Sequence, residues 1–139
     1  MRKNKRILVA LLLIAVLSMT SITSFAGEQA VSPRLSHADG ANFSFAATAE
    51  GGYIDVTYYG YDSFVRADLT VKIEKRFLFV FWNDVIEWSG SSTKLNGEFY
   101  NASPLPLDGS GTYRATFTLT ITGNDGTVDT IPIEIEDSY

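Results

Sequence analysis

Cysteine is absent from the sequence, and histidine occurs once, at His37. The first absence excludes disulfides, thiolate metal sites, a cysteine nucleophile and a lipid-modified amino-terminal cysteine. The second leaves His37 as the sole imidazole for general-base chemistry, which most nucleophilic mechanisms require. The 16 acidic residues leave a two-carboxylate glycosidase formally open. Most of those acids, however, fall at solvent-side strand positions or in turns. The chain is therefore read as non-catalytic, with no cofactor and no metal. Positive charge is also scarce. Four of the 11 basic residues are Arg2, Lys3, Lys5 and Arg6, and all 16 acidic residues lie beyond them. From residue 27 onward the net charge is 7 − 16 = −9. A field of that sign opposes nucleic acid and anionic lipid, both of which need clustered Lys and Arg.

After residue 26 no helical period occurs. Before it stand a basic start, an apolar run from Ile7 to Leu17 and the small-residue pattern Ser24-Phe25-Ala26. These are the parts of a secretory signal peptide, and the run is far short of the roughly 20 residues that span a bilayer. Residues 1–26 are thus expected to be a removable signal, and the protein to be secreted, extracellular or associated with the cell surface. The carboxyl end, Ile135 to Tyr139, is polar, so no anchor is expected there. Gly27 to Gly40 has no periodicity and reads as a flexible lead-in, leaving 41–139 as the folded domain.

What is present is strand rhythm. Tyr113, Ala115, Phe117, Leu119 and Ile121 fall on one side of an extended chain, with Arg114 and four threonines on the other. Side chains alternate across a strand, so this segment has one buried and one wet face. Gly123-Asn124-Asp125-Gly126 then turns the chain into Thr127–Glu136, completing a hairpin. Asn124 to Asp129 also carries carboxylates at a spacing that suits Ca²⁺, but Asn, Asp and Gly are equally what a hairpin turn requires. Pro132 cannot donate to a ladder and belongs at a sheet edge or facing outward. Val128 and Ile131 are out of phase, which a bulge near Asp129-Thr130 would reconcile. Earlier strands are read at Asn42–Ala49, Tyr53–Tyr59, Ala67–Lys75, Val85–Trp88 and Lys94–Asn101. Seven or eight short strands in about 100 residues predict an all-β, immunoglobulin-like antiparallel β-sandwich.

Phe77-Leu78-Phe79-Val80-Phe81-Trp82 breaks the rhythm by being apolar on both sides, with no turn residue before Asn83. Three arrangements satisfy it: a central strand covered on both faces, a loop tip offered to a partner or membrane surface, or a self-association edge. These six residues are the candidate partner-binding surface. A glycan reading instead uses Tyr58, Tyr59, Tyr61, Phe64, Trp82 and Trp88 as stacking platforms. Partner classes left open are a protein, a cell-wall or other glycan, a membrane and a second copy.

Gly109-Ser110-Gly111-Thr112-Tyr113-Arg114-Ala115 resembles the approach to strand F of immunoglobulin domains, with Ala115 in place of their second cysteine. The resemblance implies that Tyr113 makes a corner hydrogen bond. A longer likeness runs from about Leu69 to Glu136, through Glu74-Lys75, Trp82 to Trp88, Gly111 to Arg114 and Asp125-Gly126. It is similar to small secreted immunoglobulin-like domains of unknown function from Gram-positive bacteria. That likeness implies fold and location, and carries over no catalytic residue.

Overall fold

The computed structural model describes residues 29–31 and 35–139; the expected signal, 1–26, lies outside them. Eight strands follow in order: β1 (Gln29–Val31), β2 (Ala38–Thr48), β3 (Gly51–Gly60), β4 (Phe64–Phe77), β5 (Phe81–Ser92), β6 (Asn96–Tyr100), β7 (Thr112–Gly123) and β8 (Val128–Ser138). They form two four-stranded sheets of order β1-β2-β3-β6 and β5-β4-β7-β8, and every pairing is antiparallel. Among the described residues there is no helix.

The sheets face each other across an apolar core. Phe43 and Phe45 of β2 and Ile54, Val56 and Tyr58 of β3 meet Leu69, Val71 and Ile73 of β4 and the whole apolar side of β7. Phe43 packs edge-on against Phe117 with ring centroids 5.5 Å apart, a favourable aromatic geometry that ties the sheets together. β7 lies between β4 and β8, and Tyr113, Ala115, Phe117, Leu119 and Ile121 have no exposed surface. Its threonines point outward, where branched Cβ atoms suit a pleated surface.

β8 ends the second sheet, and Pro132 stands on it, exposed and opposite Thr118. A residue without an N–H is harmless at such an edge. The expected bulge near Asp129-Thr130 is absent. β7 and β8 pair without a break, Val128 faces solvent, and Asp129 takes the core-side position next to Ile131. The carboxylate is accommodated there because Asp129 Oδ2 accepts the amides of Ser36 and His37 at 2.9 and 2.7 Å. Asp137 closes the other end of the same face by accepting the Ala47 amide at 2.9 Å. Two acids on β8 thus supply acceptors to the β2 side, where edge amides would otherwise lack partners.

Within the segment expected as a flexible lead-in, 27–40, the described residues 29–31 and 35–40 differ from that expectation. Gln29–Val31 pairs with Ala41–Phe43, and β2 starts at Ala38 with a register shift between Ala38 and Gly40. His37 is only 4% exposed. Its Nδ1 lies 2.9 Å from Ser63 Oγ and its Nε2 2.7 Å from Thr127 Oγ1. Thr127 donates its own hydroxyl proton to Asp125, so the imidazole Nε2 is the donor toward Thr127. Gly123 lies flat against the ring, and a Cβ there would collide with it. The long connection after β6 is held similarly, through paired backbone bonds between Gly52 and Leu105 at 2.8 Å.

Candidate interaction surface

β4 and β5 form a long hairpin whose strands pair from Ala67↔Ser92 to Phe77↔Phe81. β7 accompanies β4 only as far as Lys75↔Tyr113. The hairpin therefore outruns its sheet by two residue pairs, Arg76↔Trp82 and Phe77↔Phe81, and by the loop Leu78 to Val80. The six candidate residues are neither a central strand nor one face of a strand. They are the end of a projection.

Phe77, Leu78, Phe79, Val80 and Phe81 are 53%, 63%, 92%, 70% and 60% exposed. The turn is also strained: Leu78 and Phe79 have φ of 47° and 67°. Left-handed backbone suits Gly, Asn or Asp and costs a bulky side chain roughly 1 kcal/mol or more. Turn chemistry and solvent both oppose these side chains, yet the sequence places them there.

Trp82 does not share that exposure. One pair behind the tip, its ring packs against the guanidinium groups of both Arg76 and Arg114, 4.8 and 4.3 Å from the ring centroid. Both arginines are anchored. Arg114 donates twice to Glu74 Oε2, at 3.0 and 2.7 Å, and Arg76 Nη2 lies 2.7 Å from Glu136. Lys72 pairs with Asp84 at 2.7 Å, a hydrogen bond that lifts the lysine pKa above its ordinary value. Lys75 Nζ donates to Asp108 O and lies over the Tyr113 ring. The apolar tip thus rises from a collar of matched charges. An open depression of about 310 Å³ borders the collar between Lys75, Arg76, Asn83, Asp84 and Asp108.

Tyr113 makes the bond expected of it. The residue is fully buried and its hydroxyl donates to Gly109 O at 2.5 Å. Burial, followed by the neighbouring Tyr139 and Asp108, pushes its pKa up to about 12.

The glycan platforms are not brought together. Tyr58 is fully buried, with its hydroxyl 2.7 Å from Lys94 O, and Phe64 stacks on it at 5.6 Å. Trp88 packs edge-on against Phe99 at 6.5 Å, while Trp82 packs against the two arginines. Tyr59 and Tyr61 remain exposed. The exposed aromatic that the sequence reading passed over is Tyr100, on the outer face of the first sheet. With Tyr59, Thr57, Asn96 and Glu98 it borders a shallow groove of about 390 Å³. Its position was legible in the alternation of β6, where Phe99 faces the core and Tyr100 must face away.

The segment Asn124 to Asp129 is the β7–β8 turn followed by the first two residues of β8. Gly126 has φ of 80°, Gly123 N donates to Thr127 O at 2.9 Å, and Asp125 accepts both the amide and the hydroxyl of Thr127. Those bonds, the hydroxyl's first, hold the Asp125 carboxyl below the usual range. Asp129 points away to Ser36 and His37, so the two carboxylates do not converge.

No family model matches the chain, and neither a curated protein nor a solved structure matches it.

Proposed function

We propose that this protein is a secreted, non-catalytic, immunoglobulin-like binding module that engages its partner through the tip of the β4–β5 hairpin. One observation carries the reading: five consecutive apolar residues stand exposed, two of them on left-handed backbone, at the end of a projection. Scattered exposed apolar residues are ordinary, whereas a contiguous apolar patch marks an interaction site. Strain that buys no packing within the fold points the same way. The immunoglobulin-like assignment draws on the strand order, on the crossings of β3→β4, β5→β6 and β6→β7 between sheets, and on the Tyr113 corner. The secreted location draws on the signal pattern of residues 1–26, and the likeness to small domains of Gram-positive bacteria agrees with both.

The test is a Leu78→Ser, Val80→Ser variant. With 63% and 70% of these side chains in solvent, thermal stability changes little, while self-association or binding to cell-wall material or vesicles weakens. Collapse of the fold on this substitution defeats the reading.

A second reading, a carbohydrate-binding module, is favoured by Tyr59 and Tyr100 beside Asn96 and Glu98. Retention on an insoluble glycan that a Tyr100→Ala change abolishes supports it over the tip.

A further inference from the structure

The tip is apolar on both faces and at its end, which separates it from a flat interaction patch. A patch is covered by laying a partner against it. A peg is covered only by something that surrounds it, a deep socket in a protein or an apolar medium. We propose that this medium is the surface of a lipid bilayer made of zwitterionic lipids; the inference rests on the reading of the tip as the interaction surface.

Three features favour lipid over a protein pocket. The first is depth. From the Arg76↔Trp82 pair to Phe79 the chain advances three residues on either strand, at most roughly 10 Å at about 3.4 Å per residue. Interfacial amphipathic helices bury their apolar face about 5–10 Å into the headgroup–acyl boundary, a depth the tip can match. The second is the layer directly behind. Trp82 packs against Arg76 and Arg114, and an amphipathic indole beside guanidinium groups is what the boundary between acyl chains and headgroups selects. The third is charge. The collar pairs Arg76 with Glu136, Arg114 with Glu74 and Lys72 with Asp84. Both signs meet headgroups that themselves carry both signs. A domain of net charge −9 from residue 27 onward is repelled by anionic lipid, so the zwitterionic surface is the complementary one.

The core cluster is built wholly from residues between Ala38 and Ile135, so the fragment 27–139 contains the fold and omits the apolar run Ile7 to Leu17, which would bind lipid by itself. The chain has two tryptophans, and Trp88→Phe leaves Trp82 as sole reporter. The expected result with phosphatidylcholine vesicles is a blue shift of Trp82 emission, quenching by acyl chains brominated near the headgroup, and at least a tenfold loss of affinity in the Leu78→Ser, Val80→Ser variant. The fold of that variant is checked by circular dichroism. Unchanged emission and no co-sedimentation at millimolar lipid overturn the inference, as does binding that needs phosphatidylglycerol and vanishes in high salt. Sedimentation velocity separates the two levels of the argument. If lipid binding is absent but the serine pair changes self-association, the tip remains the interaction surface and its occupant is a second copy. If neither changes, and binding to cell-wall material is also unaltered by the serine pair, both readings fall.

Discussion

Replacing Tyr113 with Phe removes one oxygen and nothing else. That hydroxyl is fully buried and donates at 2.5 Å to Gly109 O, tying the connection after β6 to the start of β7. Gly109 is exposed, so its carbonyl can turn to water once the donor is gone. The loss at neutral pH is therefore about 1–2 kcal/mol rather than the larger cost of an orphaned buried acceptor. With a urea dependence of about 1 kcal/mol per molar for a domain of this size, the midpoint falls by roughly 1–2 M. The pH dependence supplies a second signature. Tyr113 has a pKa of about 12 in the fold against 10.0 as its ordinary value. Because the folded value is the higher, the stability it represents is complete below pH 10 and drains away as pH rises toward 12. At pH 11 the parent has lost at most about 1.4 kcal/mol from this group, one pKa unit's worth. Tyr113→Phe has no proton to lose there. The gap between the two proteins, 1–2 kcal/mol at pH 7, thus closes to near zero at pH 11. Urea titrations at both pH values read it directly. A gap that stays constant from pH 7 to 11, or no gap at pH 7, refutes the argument.

Leu78→Asn with Phe79→Gly gives the tip the residues its backbone favours, and urea unfolding should show a gain of about 1–2 kcal/mol while partner binding is lost. Asp129→Ala strips the acceptor from the Ser36 and His37 amides and is expected to cost about 2–3 kcal/mol; Asp129→Asn, which keeps a carbonyl oxygen, recovers most of it. Gly123→Ala forces a methyl into the His37 ring and should cost about 1–3 kcal/mol. In a His37→Ala background the same change costs much less, so a double-mutant cycle shows strong coupling between the two positions.

The parts of the fold that were legible in the sequence are those decided by local rhythm. The β7 alternation, the turn at Gly123–Gly126 and the edge position of Pro132 each follow from residues a few places apart. The parts that were not legible depend on distant partners. His37 is held by Ser63 and Thr127, 26 and 90 residues away, so an aperiodic lead-in gave no sign of a buried clamp. A bulge was expected at Asp129 because apolar residues were assumed to face inward; instead the acid faces the core side and Val128 faces water. Phe77 to Trp82 was ambiguous for a related reason. A chain apolar on both faces looks alike at the centre of a sheet and at a projecting tip when Leu78 and Phe79 occupy the positions where turns use Gly or Asn. For the candidate surface, sequence therefore supplied the residues and the pairing register supplied the projection. The glycan platforms failed because six aromatics scattered along the chain need not share a face.

The central claim is that the tip stands free in solution, ready for a partner. Because the chain has no cysteine, Phe79→Cys introduces a single thiol at the most exposed apolar position among the described residues. The account predicts that a dilute solution of the folded protein reacts with a maleimide as fast as the unfolded chain does in urea, and is slowed when vesicles or another bound partner cover the tip. A thiol protected in the dilute folded protein contradicts it.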